Sequence, residues 1–189
     1  MTTLLKTARL ELVGCTPDLL RAEGDDRGRF AELLDARIPE SWPPELYDDD
    51  ARRWTLDAIE GAPEEDGWWM YYLVADGGDG REVVGVAGYK GPPRDDGTVE
   101  LGYGVLPEHR RRGYAVEATQ KLVERAFGFP EVTRVIAETY PHLAPSIGVM
   151  EKCGLSFAGD GSEEGVVRYE LPRDRWRAES RRGRAEAEA

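Results

Sequence analysis

The sequence has few of the residues from which metal centres and disulfide frameworks are built. Its 189 residues include only two histidines and two cysteines, Cys15 and Cys153. Two cysteines so far apart in the chain match no metal-ligand spacing and no disulfide framework. We therefore expect a protein without a metal, and a reducing cytoplasm as its compartment.

Long apolar segments and an excess of positive charge are also missing. No hydrophobic run approaches the ~20 residues of a membrane-spanning helix, and residues 1–6 lack the apolar stretch of a secretory signal. With 25 Lys and Arg against 37 Asp and Glu, the formal net charge is −12. A strongly acidic chain is a poor general binder of nucleic acids. We expect neither a membrane nor a nucleic acid as partner.

Helical and strand patterns alternate along the chain. A helix is predicted over Asp48–Ile59, where apolar residues recur at helical spacing. Alternating, aromatic-rich runs separated by glycine and proline then predict an antiparallel meander; these runs are Trp68–Ala75, Val83–Tyr89 and Thr98–Leu106. After a further amphipathic helix, Val132–Thr139 is predicted as a strand parallel to the preceding one, because a helical crossover joins them.

The most informative segment is the loop between the third meander strand and the next helix. It contains three arginines and a glycine and opens directly into the helix. The first N–H groups of a helix have no intrahelical acceptor, and together with the helix dipole they favour an anion. Gly113 has no side chain where the anion would approach the backbone. This order of elements predicts a phosphate site.

This loop resembles the acetyl-CoA loop of the GCN5-related N-acetyltransferases (the GNAT superfamily), whose pattern is Gln/Arg-x-x-Gly-x-Gly/Ala. The matching residues are Arg110, Arg111, Arg112, Gly113, Tyr114 and Ala115. A second similar block, Ala137–Leu155, resembles the ribosomal-protein-type branch of the family. The resemblance covers about Thr7 to Pro172. It implies one domain over residues 7–172, followed by a charged tail, 173–189, that we expect to be frayed.

The resemblance implies a mixed α/β fold with a twisted central sheet. This sheet would have an antiparallel N-terminal meander, splayed parallel central strands and flanking helices. The implied activity is direct transfer of acetyl from acetyl-CoA to the primary amine of a small molecule or a protein N-terminus, with a homodimer as an option. The rival hypothesis is a non-catalytic module of the same fold that senses acyl-CoA or binds a partner.

Glu100 is the leading candidate for a general base. An ammonium must lose a proton before it attacks a thioester, and a carboxylate can accept that proton, often through water. If Val99 and Leu101 face the core, alternation directs Glu100 towards the opposite side of the strand. Glutamates on the corresponding strand act as the base in many members of the family. The alternative is an ordinary polar residue on a half-exposed strand.

The end of the same strand is the candidate for binding the pantetheine arm and the thioester. Glycines 102 and 104 weaken a strand interior, which makes little sense for packing alone. The resemblance implies that a backbone N–H near the strand end polarises the thioester carbonyl; the candidates are Gly104, Val105 and Leu106. The glycines could instead make room for neighbouring aromatic rings such as Tyr72.

The second block departs from the family where an acid is usual. Many members carry a tyrosine at the position of Met150, which cannot donate a proton. In the ribosomal-protein-type branch a serine lies near the CoA sulfur, and this implies Ser146 as the candidate. Its alternative role is a first-turn serine that satisfies local backbone groups. His142, in a loop beside prolines, is a weaker candidate acid or base.

Tryptophans before the meander could form an apolar wall for the acceptor. Such sites combine apolar walls with a few placed polar groups. Trp42, in a loop bounded by prolines, is the best candidate for binding the substrate. Trp54 has helical spacing and is expected in the core.

Overall fold

A computed structural model describes residues 3–65, 67–77 and 80–187. Within them the strands are β1 (Leu4–Lys6), β2 (Leu10–Gly14), β3 (Met70–Gly77), β4 (Gly80–Tyr89), β5 (Thr98–Val105), β6 (Arg134–Thr139), β7 (Ser156–Asp160) and β8 (Val167–Pro172). The helices are α1 (Pro17–Asp25), α2 (Arg27–Leu34), α3 (Asp49–Gly61), α4 (Tyr114–Phe127), α5 (Ala144–Lys152) and α6 (Arg173–Ala187).

The chain divides into two compact units. The first contains Met1–Pro92 and Gly102–Lys121, and the second contains Pro93–Leu101 and Leu122–Ala189. The boundary passes through β5, so the first four residues of this strand belong to the second unit and the last four to the first. The predicted limits of the acetyltransferase domain, 7–172, stay a prediction.

The first unit is built on strands in the order β1-β2-β3-β4-β5. The pairs β1–β2, β2–β3 and β3–β4 are antiparallel, and Leu12 lies opposite Leu73. In β2 the burial alternates with a period of two, as expected when one face covers a core. Leu20 of α1 and Phe30 of α2 are almost completely buried in that core, together with Tyr72 of β3.

Polar caps decide where the first three helices begin. The side chains of Thr16, Asp26 and Asp48 each accept a hydrogen bond from the backbone N–H three residues further on. Each satisfies one donor that the first turn leaves without a partner. Each cap lies within three residues of the donor that it satisfies, so it is a short-range signal in the sequence.

The second unit contains strands in the order β5-β6-β8-β7. The pair β5–β6 is parallel, with Glu100 opposite Ile136, whereas β8 pairs antiparallel with both β6 and β7. The predicted mixed α/β fold class, with its parallel pair after the α4 crossover, is thereby confirmed.

The C-terminal segment, for which we expect fraying, is helical over residues 173–187. Helix α6 runs over Arg173–Ala187, and residues 188 and 189 lie outside the described part. The Arg173 guanidinium donates to the carbonyls of Val132 and Phe127 at 2.6 and 2.8 Å, and also to that of Phe129. The Trp176 ring packs on Phe127 with centroids 5.0 Å apart. These contacts anchor the first turn of α6.

Along the described segments, no helix is long and apolar enough to cross a membrane.

Candidate functional site

The basic loop leads from the end of β5 into α4 through two residues with left-handed backbone. Arg111 has φ 62° and Gly113 has φ 85°, and α4 begins at the next residue, Tyr114. Left-handed residues within a turn direct successive N–H groups into one concavity, a geometry that binds anions. Arg110, Arg111 and Arg112 are all exposed. The loop therefore has the backbone form and the charge predicted for a phosphate site.

Arg9 and Glu117 brace this loop from outside the motif. Glu117 Oε1 accepts hydrogen bonds from Thr7 Oγ1 at 2.6 Å and from the Arg9 backbone N at 2.8 Å. Its Oε2 accepts from Arg9 Nε at 2.7 Å and lies 2.6 Å from Arg9 Nη2. Arg9 Nη1 in turn donates to the carbonyl of Arg112 at 2.8 Å. The segment between β1 and β2, which contains Thr7 and Arg9, is thus hydrogen-bonded to both the basic loop and α4.

The charge state of Glu117 follows from this bracing. Burial alone would raise the pKa of its carboxyl, but the hydrogen bonds from Thr7 and Arg9 hold that pKa below its usual range. Sequence reasoning missed all three residues as part of the site. Thr7 and Arg9 fall in a segment that alternates like an ordinary strand, and 108 residues separate Arg9 from Glu117.

Of the three arginines, Arg110 has contacts that point back to β5. Its Nε donates to the Val105 carbonyl at 3.1 Å, and its Nη2 forms an ion pair with Glu45 Oε2 at 3.0 Å. The loop that contains Glu45 also approaches the strand itself, since a Cβ added to Gly104 would lie 3.4 Å from Pro44 Cβ. Gly104, Val105 and the basic loop are therefore close together within the first unit.

The strand end offers fewer free donors than the sequence suggested. The N–H of Leu106 donates to the carbonyl of Val84 at 3.0 Å, so it is already used within the sheet. Gly102 borders open space, because no described atom lies within 4 Å of an added Cβ. Gly104 faces Pro44 and Glu45 and not an aromatic ring. The alternative explanation, that the glycines make room for rings, receives no support from these contacts.

Trp42 is fixed by a carboxylate that the sequence did not single out. Its Nε1 donates to Glu23 Oε1 at 2.9 Å, while the hydroxyls of Tyr47 and Tyr72 donate to Glu23 Oε2 at 2.9 and 2.7 Å. Burial raises the pKa of Glu23, although these three hydrogen bonds oppose the rise. The indole ring lies 5.8 Å from the Phe30 ring. Trp42 is therefore half-buried against the core, with its polar atom satisfied inside the protein.

The other tryptophans differ from expectation. Trp54 is 53% exposed and not in the core, and it meets the edge of Trp69 at 5.7 Å between centroids. Trp68 and Trp69 are both buried. Helical spacing shows which residues share a face, but it does not show which face is covered.

His109 is a further residue near the basic loop that the sequence analysis did not single out. It lies directly before the basic loop and is buried, and neither ring nitrogen has a hydrogen-bond partner among the described residues. Its Nε2 lies 3.7 Å from Glu82 Oε2, and Glu82 also pairs with Arg37 at 2.8 Å. A single histidine before an arginine run gives no signal of burial in the sequence.

Glu100 belongs to the second unit and is buried together with both of its neighbours. Val99, Glu100 and Leu101 are all less than a tenth exposed, so Glu100 does not lie on the half-exposed strand that the alternative to a catalytic role assumed. Glu100 Oε2 forms an ion pair with Arg94 Nη2 at 2.7 Å. A buried carboxylate needs such a partner, because an isolated charge would be costly to bury.

Ser146 and Met150 lie on α5, also in the second unit. Pro145 occupies the first turn of α5, and Ser146 is half-buried one residue later. Met150 is almost completely buried, which fits a packing role. His142 is exposed, and its ring stacks on Tyr140 with centroids 5.5 Å apart.

The two cysteines lie inside the protein. Cys15 and Cys153 are both buried and are not joined in a disulfide, and burial raises the pKa of Cys153 to about 12. A thiol of this kind is almost entirely protonated near neutral pH and is a poor nucleophile. Among the described residues, no cluster of three or more His, Cys, Asp or Glu side chains could hold a metal ion.

Comparisons with curated proteins and solved structures give consistent relatives. The "Uncharacterized N-acetyltransferase YjdG" of Bacillus subtilis (strain 168) is 38% identical over 76 residues, which are 40% of this chain and 45% of that protein. This chain spans about half the length of the curated relatives that it matches. Among solved structures, the RimL ribosomal L7/L12 alpha-N-protein acetyltransferase in complex with coenzyme A has a TM-score of 0.65 at 15% identity, over 92% of this chain and 99% of that one.

A second solved structure, the ribosomal-protein-S5-alanine acetyltransferase from Vibrio fischeri, has a TM-score of 0.65 at 13% identity and covers 92% of this chain and 98% of that one. At such low identities these two structures show a shared fold. The family model described as an acetyltransferase (GNAT) domain matches residues 19–156, more than half of the chain. The chain therefore belongs to the GNAT acetyltransferases, as the basic loop and the second block predicted.

Proposed function

We propose that this protein transfers an acetyl group from acetyl-CoA directly to the primary amine of a small molecule or of a peptide N-terminus. The observation that carries the proposal is the braced basic loop at the start of α4, with left-handed backbone at Arg111 and Gly113. The fold that it shares with a CoA-bound protein acetyltransferase and with a ribosomal-protein acetyltransferase supports both the donor and the ribosomal-protein-type branch.

The loop fits the pyrophosphate of CoA in both shape and charge. Gly113 presents backbone without a side chain, and an added Cβ would lie 3.2 Å from Arg9 Nη2. Arg111 and Arg112 are exposed beside it, and the N–H groups of the first turn of α4 face the same end of the helix. When bound, acetyl-CoA supplies an activated thioester. The protein must bind the thioester, accept a proton from the amine and stabilise the charge that develops on the thioester carbonyl.

Proton removal from the acceptor amine is assigned to Glu100. A carboxylate within reach of the amine, directly or through one water, can accept its proton. Glu100 is held in place by its ion pair with Arg94, at 2.7 Å between Oε2 and Nη2. The donor for the thioester carbonyl is assigned to the N–H of Gly104 or Val105, since that of Leu106 is used by Val84.

Protonation of the leaving thiolate is assigned to Ser146. The thiolate needs little assistance, because a thiol has a far lower pKa than an alcohol. Met150 is buried and has no proton to give. Trp42 remains the proposed wall of the acceptor site, with one ring face packed on the core. Its loop approaches Gly104 within the first unit.

Calorimetric titration with acetyl-CoA tests the donor site. Gly113→Glu places a negative side chain at a left-handed residue, and we expect a loss of affinity greater than tenfold. Arg111→Gly retains the left-handed backbone and removes one charge, and we expect a loss of about threefold to tenfold, or roughly 0.6–1.4 kcal/mol. Gly61→Glu is the matched control, because an added Cβ there meets no described atom within 4 Å. Unchanged affinity in both loop variants would refute the assignment.

A panel of amines and short peptides, with thiol release as the readout, tests the activity itself. Turnover with a primary amine is expected. Binding of acetyl-CoA without turnover on any acceptor would favour the rival, a module that only senses acyl-CoA. The homodimer and the cytoplasmic location stay predictions.

A further inference from the structure

The loop between α2 and α3 is held at both ends and in its middle by contacts within the first unit. The Ser41 hydroxyl donates to Glu108, just before the basic loop. Pro44 packs towards Gly104 of β5, and Glu45 pairs with Arg110 at 3.0 Å. Tyr47 donates to Glu23 at 2.9 Å. These anchors fix the course of residues 41–47 beside the strand end that the proposed function assigns to the thioester.

Between two of these anchors the loop holds Leu46 outwards. Leu46 is 80% exposed, the highest value among the exposed large hydrophobic residues of the described chain, whose other members lie between 36% and 62%. Its φ is 69°, in the left-handed region. A leucine rarely adopts this conformation, because its Cβ crowds the following carbonyl.

No structural role accounts for a leucine at this position. An asparagine or glycine would adopt the left-handed backbone with less strain, and either would avoid exposing an apolar side chain. The other two non-glycine residues with positive φ have evident reasons. Asp35 ends α2, and Arg111 shapes the basic loop. Strained residues that surroundings hold in place tend to occur at ligand sites.

Both signs of charge lie near Leu46. Glu45 precedes it in the chain, is 73% exposed and pairs with Arg110 at 3.0 Å. Glu40 is exposed on the same loop, and Glu108 is exposed at its Ser41 anchor. The loop thus combines polar, charged groups with one outward-facing apolar side chain.

We infer that Leu46 is a specificity-determining residue, which contacts an apolar group carried next to the amine of the acceptor. This inference rests on the proposed function and narrows its substrate class to primary amines with an apolar substituent, in a small molecule or at a peptide N-terminus. Contact with the ligand would remove the exposed leucine from water, a gain that only an apolar partner provides.

The experiment compares two acceptors that differ in one side chain. Short peptides of the same sequence begin with leucine or with serine, and thiol release gives kcat and KM for each. Leu46→Asn suits the left-handed backbone, so the variant should be at least as stable as the parent. We expect it to raise KM for the leucine peptide about tenfold, with little change in kcat, in KM for the serine peptide or in KM for acetyl-CoA.

Two controls separate contact from general effects. Leu46→Met keeps an apolar side chain and should retain the parent's preference for the leucine peptide. Leu4→Asn removes an exposed leucine from β1 and should change neither peptide's KM. Equal preference in the parent and in Leu46→Asn would refute the inference while the proposed function stands. No thiol release by the parent with any amine would refute the proposed function and, with it, this inference.

Discussion

Replacing Glu117 with glutamine should loosen the basic loop before α4. The carboxylate receives hydrogen bonds from the Thr7 hydroxyl and from the backbone and side chain of Arg9. Arg9 in turn donates to the carbonyl of Arg112 inside the loop. Glutamine has the same shape, but it keeps one acceptor oxygen only and loses the negative charge. The substitution therefore changes the brace and leaves the packing of α4 as it is.

The expected magnitude follows from the contacts that are lost. Hydrogen bonds to a charged group contribute about 1.5–3 kcal/mol each when a partner is left without compensation. The Arg9 side chain is 50% exposed, so water replaces much of what it loses, and its ion pair must be discounted. We expect the free energy of unfolding to fall by about 1–2 kcal/mol. We also expect acetyl-CoA to bind about threefold to tenfold more weakly.

The pH dependence gives the prediction its sharpest test. The pKa of Glu117 is below its ordinary value of 4.5 in the folded protein. A depressed carboxyl pKa stabilises the folded state fully above the unfolded pKa, and this contribution is lost as the pH falls through the folded pKa. The difference between parent and variant should therefore be full at pH 6–7 and should narrow below about pH 4.5.

Urea denaturation followed by tryptophan fluorescence at several pH values measures this difference, and calorimetry measures the affinity for acetyl-CoA. Asp57→Asn, at an exposed carboxylate on α3, is the control for removing one negative charge. A gap in unfolding free energy that is the same at pH 4 and pH 7 would show that the charge of Glu117 does not brace the loop. Unchanged stability and affinity would show that the brace has no energetic role.

Three further predictions concern residues outside the loop. Glu23→Ala leaves three buried donors without an acceptor and should lower the free energy of unfolding by about 3 kcal/mol, whereas Glu23→Gln should cost less than about 1 kcal/mol in urea denaturation. Because burial raises the pKa of Glu23, the parent should lose stability as the pH rises from 4.5 through that pKa, and the glutamine variant should not. Glu100→Gln should leave acetyl-CoA affinity nearly intact and lower kcat by about 10²–10⁴-fold; activity within a few fold of the parent would remove it from the mechanism. In rapid measurements of thiol release, Ser146→Ala should slow transfer about tenfold, or roughly 1.4 kcal/mol, and Met150→Leu should leave the rate unchanged.

The elements that the sequence predicted well are those whose signals are local. The basic loop, its glycine and the helix that follows are contiguous, and polar caps mark the starts of α1 to α3. The loop could be recognised from six neighbouring residues. The interaction of Arg9 with Glu117 could not be recognised, because the two residues are 108 positions apart and a single sequence gives no signal for such a pair.

The sequence predictions were wrong where they depended on which face of a helix or strand is covered by the rest of the protein. Alternation in β5 predicted that Glu100 lies on the opposite side of the strand from Val99 and Leu101, but all three residues are buried. Strands covered on both sides lose the contrast on which the expectation depended. Trp54 is the converse case, since its helical spacing suggested burial and its side chain is half exposed. Tertiary packing decides whether the Glu100 and Trp54 side chains are buried, and the spacing of apolar residues in the sequence does not show that packing.

The hydrogen bonds of Arg173 bear on where the chain can be truncated. A boundary drawn at Pro172 from the sequence would remove the guanidinium that donates to the carbonyls of Val132, Phe127 and Phe129. Those carbonyls lie at and after the end of α4, where a helix has no internal donors for its last C=O groups. A protein truncated at that boundary would expose them to water and uncover the ring face of Phe127 on which Trp176 packs. The smallest piece of this chain that folds as the whole does must therefore extend into α6.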